Sequence, residues 1–340
     1  MRKLSFLLFL ILLSIGTTPR WTTLQTGTKA RLRAVSAVTR NIVWAGGSGS
    51  TVLRTVNGGS TWQTIKITDD QLDFRDVDAV DANTAYILSI GNGPASRIYK
   101  TTDAGATWQL QFKNEDAKAF YDAMSFWDAT HGIVIGDSVD GAFYILTTTN
   151  GRDWTRVPAS SLPPALEGEG AFAASGSNIA LFGKTQAWIA TGAASKSRVL
   201  RTNDGGRTWR VTETPLKSGP STGAFSIVFR DAQHGIIVGG DYKLEKEAVD
   251  NAAITIDGGV TWKLIKGLSG YRSKVAYVPG TTWVVAVGPS GADVSEDGGE
   301  TWKPIAGPGF DTLSFVPSLR KDSAIAFGAG INGTMGRLEF

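Results

Sequence analysis

From about residue 21 to its end the chain alternates short apolar-rich runs with clusters of Gly, Asn, Asp and Pro. The runs are four to eight residues long and carry period-two patterning, the signature of half-buried strands. They come in sets of four. Residues 32–38, 41–47, 51–56 and 61–67 form the first set, and 170–175, 187–191, 198–202 and 208–212 the fourth. Six full sets are predicted, followed by three strands at 312–316, 324–327 and 334–339. The missing outer strand lies at the other end, where Arg20-Trp21-Thr22-Thr23-Leu24 matches the Trp-led strands of the other sets.

A recurring phrase fixes the spacing of the sets. RTVNGGSTW (54–62), KTTDAGATW (100–108), TTTNGRDW (147–154), RTNDGGRTW (201–209), ITIDGGVTW (254–262) and VSEDGGETW (294–302) share the core Ser/Thr-x-Asp/Asn-x-Gly-x-Thr-Trp. Their tryptophans are separated by 46, 46, 55, 53 and 40 residues. A period of that size means propeller blades or stacked units. Asn/Asp-Gly-Gly between two strand runs builds a tight turn, because Gly accepts positive φ and the acid side chain folds back onto turn amides. The tryptophan is expected to begin the next strand and to be largely buried between blades. One acid per turn is a structural residue, because calcium wants six to eight oxygens. The predicted fold class is therefore all-β, a seven-bladed β-propeller over 21–340 closed by pairing of the N-terminal strand with the C-terminal blade.

Composition adds limits. The 340 residues include 41 Gly and no Cys, so no disulfide or thiolate chemistry is available. Lys+Arg number 34 against 31 Asp+Glu, too small a bias for a nucleic-acid partner. Met1-Arg2-Lys3, the apolar stretch 4–15 and the small residues Ser14 and Gly16 fit a secretory signal at 1–16. The apolar stretch is too short to span a bilayer. A periplasmic or extracellular monomer without a transmembrane segment in its mature form is expected.

Candidate chemistry gathers where the innermost strands begin. Arg33, Arg75, Asp76, Tyr121, Asp122, Glu169, Tyr271, Arg272 and Asp311 occupy those places. If the blades superpose, they converge on one mouth of the central channel. They then form either a polar pocket for an anion or peptide, or a self-neutralising ring of ion pairs. Long excursions at 157–170, 215–222, 241–251, 267–273 and 288–291 break the repeat, and such irregular loops are where a propeller usually carries function. His131 and His234 sit in equivalent Asp-Ala-x-His-Gly turns on separate blades, which argues against a shared metal. No cofactor motif is present, and no metal or catalytic residue is assigned.

The repeated phrase resembles the Asp-box, or bacterial neuraminidase repeat. The longer run LRAVSAV…VWAGGSGSTVLRTVNGGSTW resembles the photosystem II assembly and stability factor family of seven-bladed propellers. That resemblance covers 21–340 and implies a non-enzymatic assembly factor that binds a protein or peptide segment through an arginine-rich face. Arg54, Lys100 and Arg201 match in the third strands, whereas blades five and six carry Ala253 and Ala292-Asp293 there. The Asp-box alone also resembles sialidase-like glycoside hydrolases, for which Arg33, Arg75, Arg272, Tyr271 and Glu169 would supply the arginines and the Tyr–Glu pair.

Overall fold

The computed structural model describes residues 19–317 and 323–340, so the predicted signal at 1–16 lies outside the described residues. The described residues form seven four-stranded antiparallel sheets. Six are built from consecutive strands, and the seventh closes the ring. In it Arg20–Leu24 pairs with Met335–Glu339, from Arg20 opposite Glu339 to Leu24 opposite Met335. The innermost strands are Leu32–Ala37, Asp73–Ala79, Tyr121–Phe126, Ile179–Phe182, Thr222–Phe229, Lys274–Tyr277 and Thr312–Phe315.

Blade 4 departs from expectation. Residues 170–175 are not its inner strand. They make one isolated bridge, Gly170 with Gly192, and the strand itself begins at Ile179. The segment between them runs across the channel and is bound to most of the ring. Ala173 O accepts from Arg75 Nη1 of blade 2 (2.9 Å). Ser175 Oγ donates to Ser273 O of blade 6 (2.6 Å), and Ser175 O accepts from Thr312 Oγ1 of blade 7 (3.3 Å). Ser177 Oγ donates to Ser226 Oγ of blade 5 (2.8 Å), and Ser177 O accepts from Ile227 N (3.0 Å). The small, polar sequence Ala173-Ala-Ser-Gly-Ser177 suits a backbone that must cross a narrow, hydrogen-bonding channel rather than join a ladder.

The apolar core is divided among the interfaces between blades. Each repeat tryptophan packs on the cluster shared by its own blade and the preceding one: Trp209 with Ile133 and Ile145, Trp302 with Ile236 and Ile254. Trp21 plays this part for the closing blade, its ring centroid 4.3 Å from that of Phe310. Two sequence expectations need correction. The outer strands begin one residue after the tryptophan, at Gln63, Gln109, Thr155, Arg210, Lys263 and Lys303. Only Trp209 and Trp302 are buried; Trp62, Trp108, Trp154 and Trp262 are half-buried, because they sit at the outer rim of the interface with one edge toward solvent.

The turn phrase works as its chemistry suggests. In blade 5, Thr255 Oγ1 accepts from Gly259 N (3.0 Å) and donates to Asp257 Oδ1 (2.8 Å). Asp257 also accepts from Thr261 N (2.9 Å) and Oγ1 (2.6 Å). The second glycine needs both its positive φ and its missing side chain: Gly105 has φ +88° and lies against Trp44 and Ile65 of blade 1.

Candidate functional site

A cavity of about 430 Å³ opens at one mouth of the channel, with the crossing segment as part of its wall through Ala171, Phe172, Ala173 and Ala174. Four of its polar or aromatic residues share one structural cause. In blades 1, 2, 3 and 5 the inner strand carries a β-bulge, and the residue skipped by the ladder is Arg33, Arg75, Asp122 or Phe225. A bulge leaves one residue unpaired and re-aims its side chain. All four line the cavity, joined by Tyr271 and Asp311 from just ahead of the inner strands of blades 6 and 7.

The cations are unequally matched. Arg31 holds Asp311 through two bonds of 2.7 Å. Arg75 is bound to Asp73 Oδ2 by Nε (2.9 Å) and Nη2 (2.7 Å), and to Ala173 O. Arg33 reaches Asp311 only at 3.9 Å, and its Nε is buried with no hydrogen-bond partner among the described residues. Burial, with Arg75 and Arg31 nearby, pushes the Arg33 guanidinium down to about 10, so it remains charged at neutral pH. Beside these charges stands an aromatic wall. Phe172 stacks on Phe225 at 3.8 Å, Tyr271 meets Phe225 edge-on at 4.8 Å, and Tyr242 approaches both rings at 6.1–6.3 Å. Tyr242 and Glu245 come from the excursion after blade 5's second strand, anchored where Glu245 O accepts from Tyr271 N (2.9 Å).

The other predicted site residues are placed elsewhere. Arg272 is fully buried, bonded by Nε to Asp293 Oδ2 (2.7 Å) and by Nη1 to Tyr271 O (2.8 Å). Glu169 is buried against Arg198, with Thr191 Oγ1 at 2.6 Å and Leu166 N at 2.8 Å on its carboxylate. Both pairs fasten a loop to its own blade. Tyr121 packs among Phe112, Met124 and Tyr144 between blades 2 and 3. Asp76 lies deeper in the channel and accepts from Met124 N (2.7 Å). The nine strand-start residues therefore do not converge on one mouth: Arg75 and Asp76, at a register shift in their strand, meet different surroundings, and Arg272, in the loop ahead of its strand, turns to Asp293 inside its own blade. The set a sialidase would need is not assembled, since Glu169 and Arg272 are held inside blades.

Deeper still, inner strands are tied blade to blade. Ser314 Oγ accepts from Ala37 N, Ser36 Oγ from Ala79 N and Asp78 Oδ2 from Phe126 N, at 3.0–3.1 Å. Arg54 and Lys100 of the third strands also bridge blades, donating to Ala82 O (2.9 Å) and Gly151 O (3.1 Å). His131 and His234 each place Nδ1 2.9 Å from the aspartate three residues back.

Sequence reasoning missed Arg31, Asp137 and the crossing segment with Phe172. A signal was available in part. Gly47, Gly136, Gly239 and Gly288 lie in the second strands of four blades, and a Cβ on any of them would strike the carbonyl of Arg31, Phe120, Gly223 or Tyr271. These glycines mark the close approach beside the inner-strand starts of blades 1, 3, 5 and 6.

No family model matches the chain, and no curated protein matches it. Solved structures do. The chain is similar to YCF48 bound to D1 peptide (TM-score 0.66, 17% identity, 94% of this chain and 97% of that one). It is similar to YCF48 from Cyanidioschyzon merolae (TM-score 0.60, 16% identity, 94% and 98%). It is also similar to an ancestral GH74 enzyme (TM-score 0.65, 13% identity, 94% of this chain and 46% of that one). At these identities the likeness speaks to the seven-bladed fold.

Proposed function

We propose that this protein is an exported, non-enzymatic binding protein that captures a protein or peptide segment at the channel mouth, in the manner of an assembly factor. The observation that carries the reading is the cavity with Arg33 on its wall. Its guanidinium is largely buried and lacks a hydrogen-bonded carboxylate, since Arg31 takes Asp311 and Arg75 takes Asp73. A buried cation in this state favours an incoming anionic group. The neighbouring aromatic wall offers apolar area for an adjoining side chain. The likeness to a propeller solved with a peptide supports the same reading. Export rests on the basic start, apolar core and small residues of 1–16.

The test is retention from an envelope extract on the immobilised mature chain, followed by mass spectrometry. Wild type is expected to retain a defined partner, and Arg33→Glu is expected to lose it while circular dichroism shows an unchanged fold. Arg33→Gln should retain less than wild type and more than the reversal. Equal retention by all three chains would move the binding surface away from this mouth.

A further inference from the structure

Blade 3 delivers two carboxylates to the cavity, and neither is used by the proposed anion site. Asp122 is the residue skipped by the bulge between Tyr121 and Ala123. Asp137 is skipped by a second bulge, between Gly136 and Ser138 in the adjoining strand. Two bulges in neighbouring strands turn both carboxylates toward the same end of the blade, and both line the cavity. The crossing segment braces them: the backbone N–H of Ala173 serves Asp122 and that of Ala171 serves Asp137. A Cβ at Gly170 would collide with the Asp137 carboxylate, so the main chain is pressed onto it.

What the pair lacks is a cation bonded to it. Asp122 is 1% exposed, yet its Oδ2 has no hydrogen-bond partner among the described residues. Arg75 is the cation that acts on Asp122, but its donors go to Asp73 and Ala173 O. Arg33, beyond Arg75 on blade 1, makes no bond to either acid. Two desolvated carboxylates with no cation hydrogen-bonded to either are an expensive arrangement. Burial and the neighbouring Asp137 push the Asp122 carboxyl well above the usual range, against the pull of Arg75. Burial pushes Asp137 up to about 6.

We propose that Asp122 and Asp137 are the receptor for a primary ammonium group, so that the cavity takes an aromatic or aliphatic residue bearing a free ammonium, seated beside the Phe172–Phe225–Tyr242 wall. An ammonium has three donors and no acceptor, which suits two carboxylates that accept. A calcium ion would need oxygens that this pair does not supply. The aromatic faces add a cation–π contribution for a partly desolvated ammonium. This inference rests on reading the cavity as a binding site, and adds a cationic requirement that Arg33 does not impose.

The experiment is calorimetric titration of the mature chain with tyramine, p-cresol and phenylacetate. Tyramine is expected to bind at least about tenfold more tightly than p-cresol, the equivalent of one pKa unit of charge preference. Asp122→Asn with Asp137→Asn should abolish that preference, and Arg33→Gln should leave it intact. Titration at pH 6.5 in buffers of different ionisation heat should show net proton release, because the ammonium lowers two carboxyl pKa values that burial had raised. Equal binding of tyramine and p-cresol, tyramine binding unaffected by the double variant, or no tyramine binding overturns the inference. If the double variant does not fold, proton release by wild type decides: none overturns it. Phenylacetate binding lost in Arg33→Gln reports on the anion site separately, so the ammonium inference can fail while the proposed function stands.

Discussion

At the residue scale the repeated phrase divides its labour. The Asp and the Thr or Ser hold the turn, the second glycine allows the close approach, and the tryptophan seals the seam to the preceding blade. The tryptophans nevertheless differ. Trp209 and Trp302 are buried, and each donates through Nε1 to the carbonyl of Gly206 or Gly299 at 2.9 Å. Trp62 is half-buried, with no hydrogen bond on that nitrogen among the described residues. Replacing Trp209 or Trp302 with Ala is expected to cost about 3–5 kcal/mol in urea unfolding, and Trp62→Ala distinctly less. Equal losses would mean that interface burial is not what the tryptophan contributes. Residue type made the turn legible from sequence, since each part has a fixed chemical task. The degree of burial was not legible, because it depends on how far the neighbouring blade extends over the ring.

At the element scale, period and alternation disclosed every strand of the described residues in substance except the inner strand of blade 4, including the N-terminal strand that completes the last blade. The failure in blade 4 is instructive. Residues 170–175 were apolar and small enough to pass for an inner strand, but the binding partners of Ala173, Ser175 and Ser177 lie on other blades, far away in sequence. Local pattern cannot report such partners. The candidate site suffered the same limit: Arg33, Arg75, Asp122 and Tyr271 were recognisable as polar or aromatic strand starts, whereas Asp137 and Phe172 depend on a bulge and a channel crossing. The closing strand makes its own prediction. Trp21 lies against Gly307, Gly328 and Gly336, and Leu24 against Gly59 of blade 1. Deleting 20–27 should therefore lower the melting temperature well beyond deletion of 243–250, an exposed stretch of equal length. A similar drop for both deletions would show that the ring does not depend on that pairing.

For the whole molecule, two sets of aspartates pull stability in opposite directions with pH. Hydrogen bonds from the neighbouring threonines, led by Thr107 at Asp103, hold the turn carboxyls Asp103, Asp204 and Asp257 down to about 2, overcoming burial at the latter two. Their contribution is present above the unfolded value of about 3.9 and is lost as pH falls toward about 2. In the channel, burial pushes Asp78 up to about 6 against the Phe126 N–H and Lys274, and raises Asp76 as well. A raised carboxyl stabilises the fold when protonated, and that contribution disappears as pH rises from about 4 through about 6. The melting temperature is thus expected to peak near pH 4–5, between the two windows. Asp78→Asn, which keeps an oxygen for Phe126 N, should stabilise the protein by about 2 kcal/mol at pH 8 and leave it nearly unchanged at pH 4. An unaltered pH profile in that variant would remove Asp78 from the account.

The pairing of Arg20 with Glu339 also has a consequence in time. A ribosome makes Arg20 long before Glu339. Until the final strand arrives, Trp21 has no Leu338 and Leu24 no Met335 to pair with, and the seventh blade lacks the strand that ties it to the N-terminal one. Single blades can form early, but the seam that makes them a ring forms last. Chains stalled or clipped before the final strand should accordingly present open edges to proteases and chaperones, however many of their blades are already made.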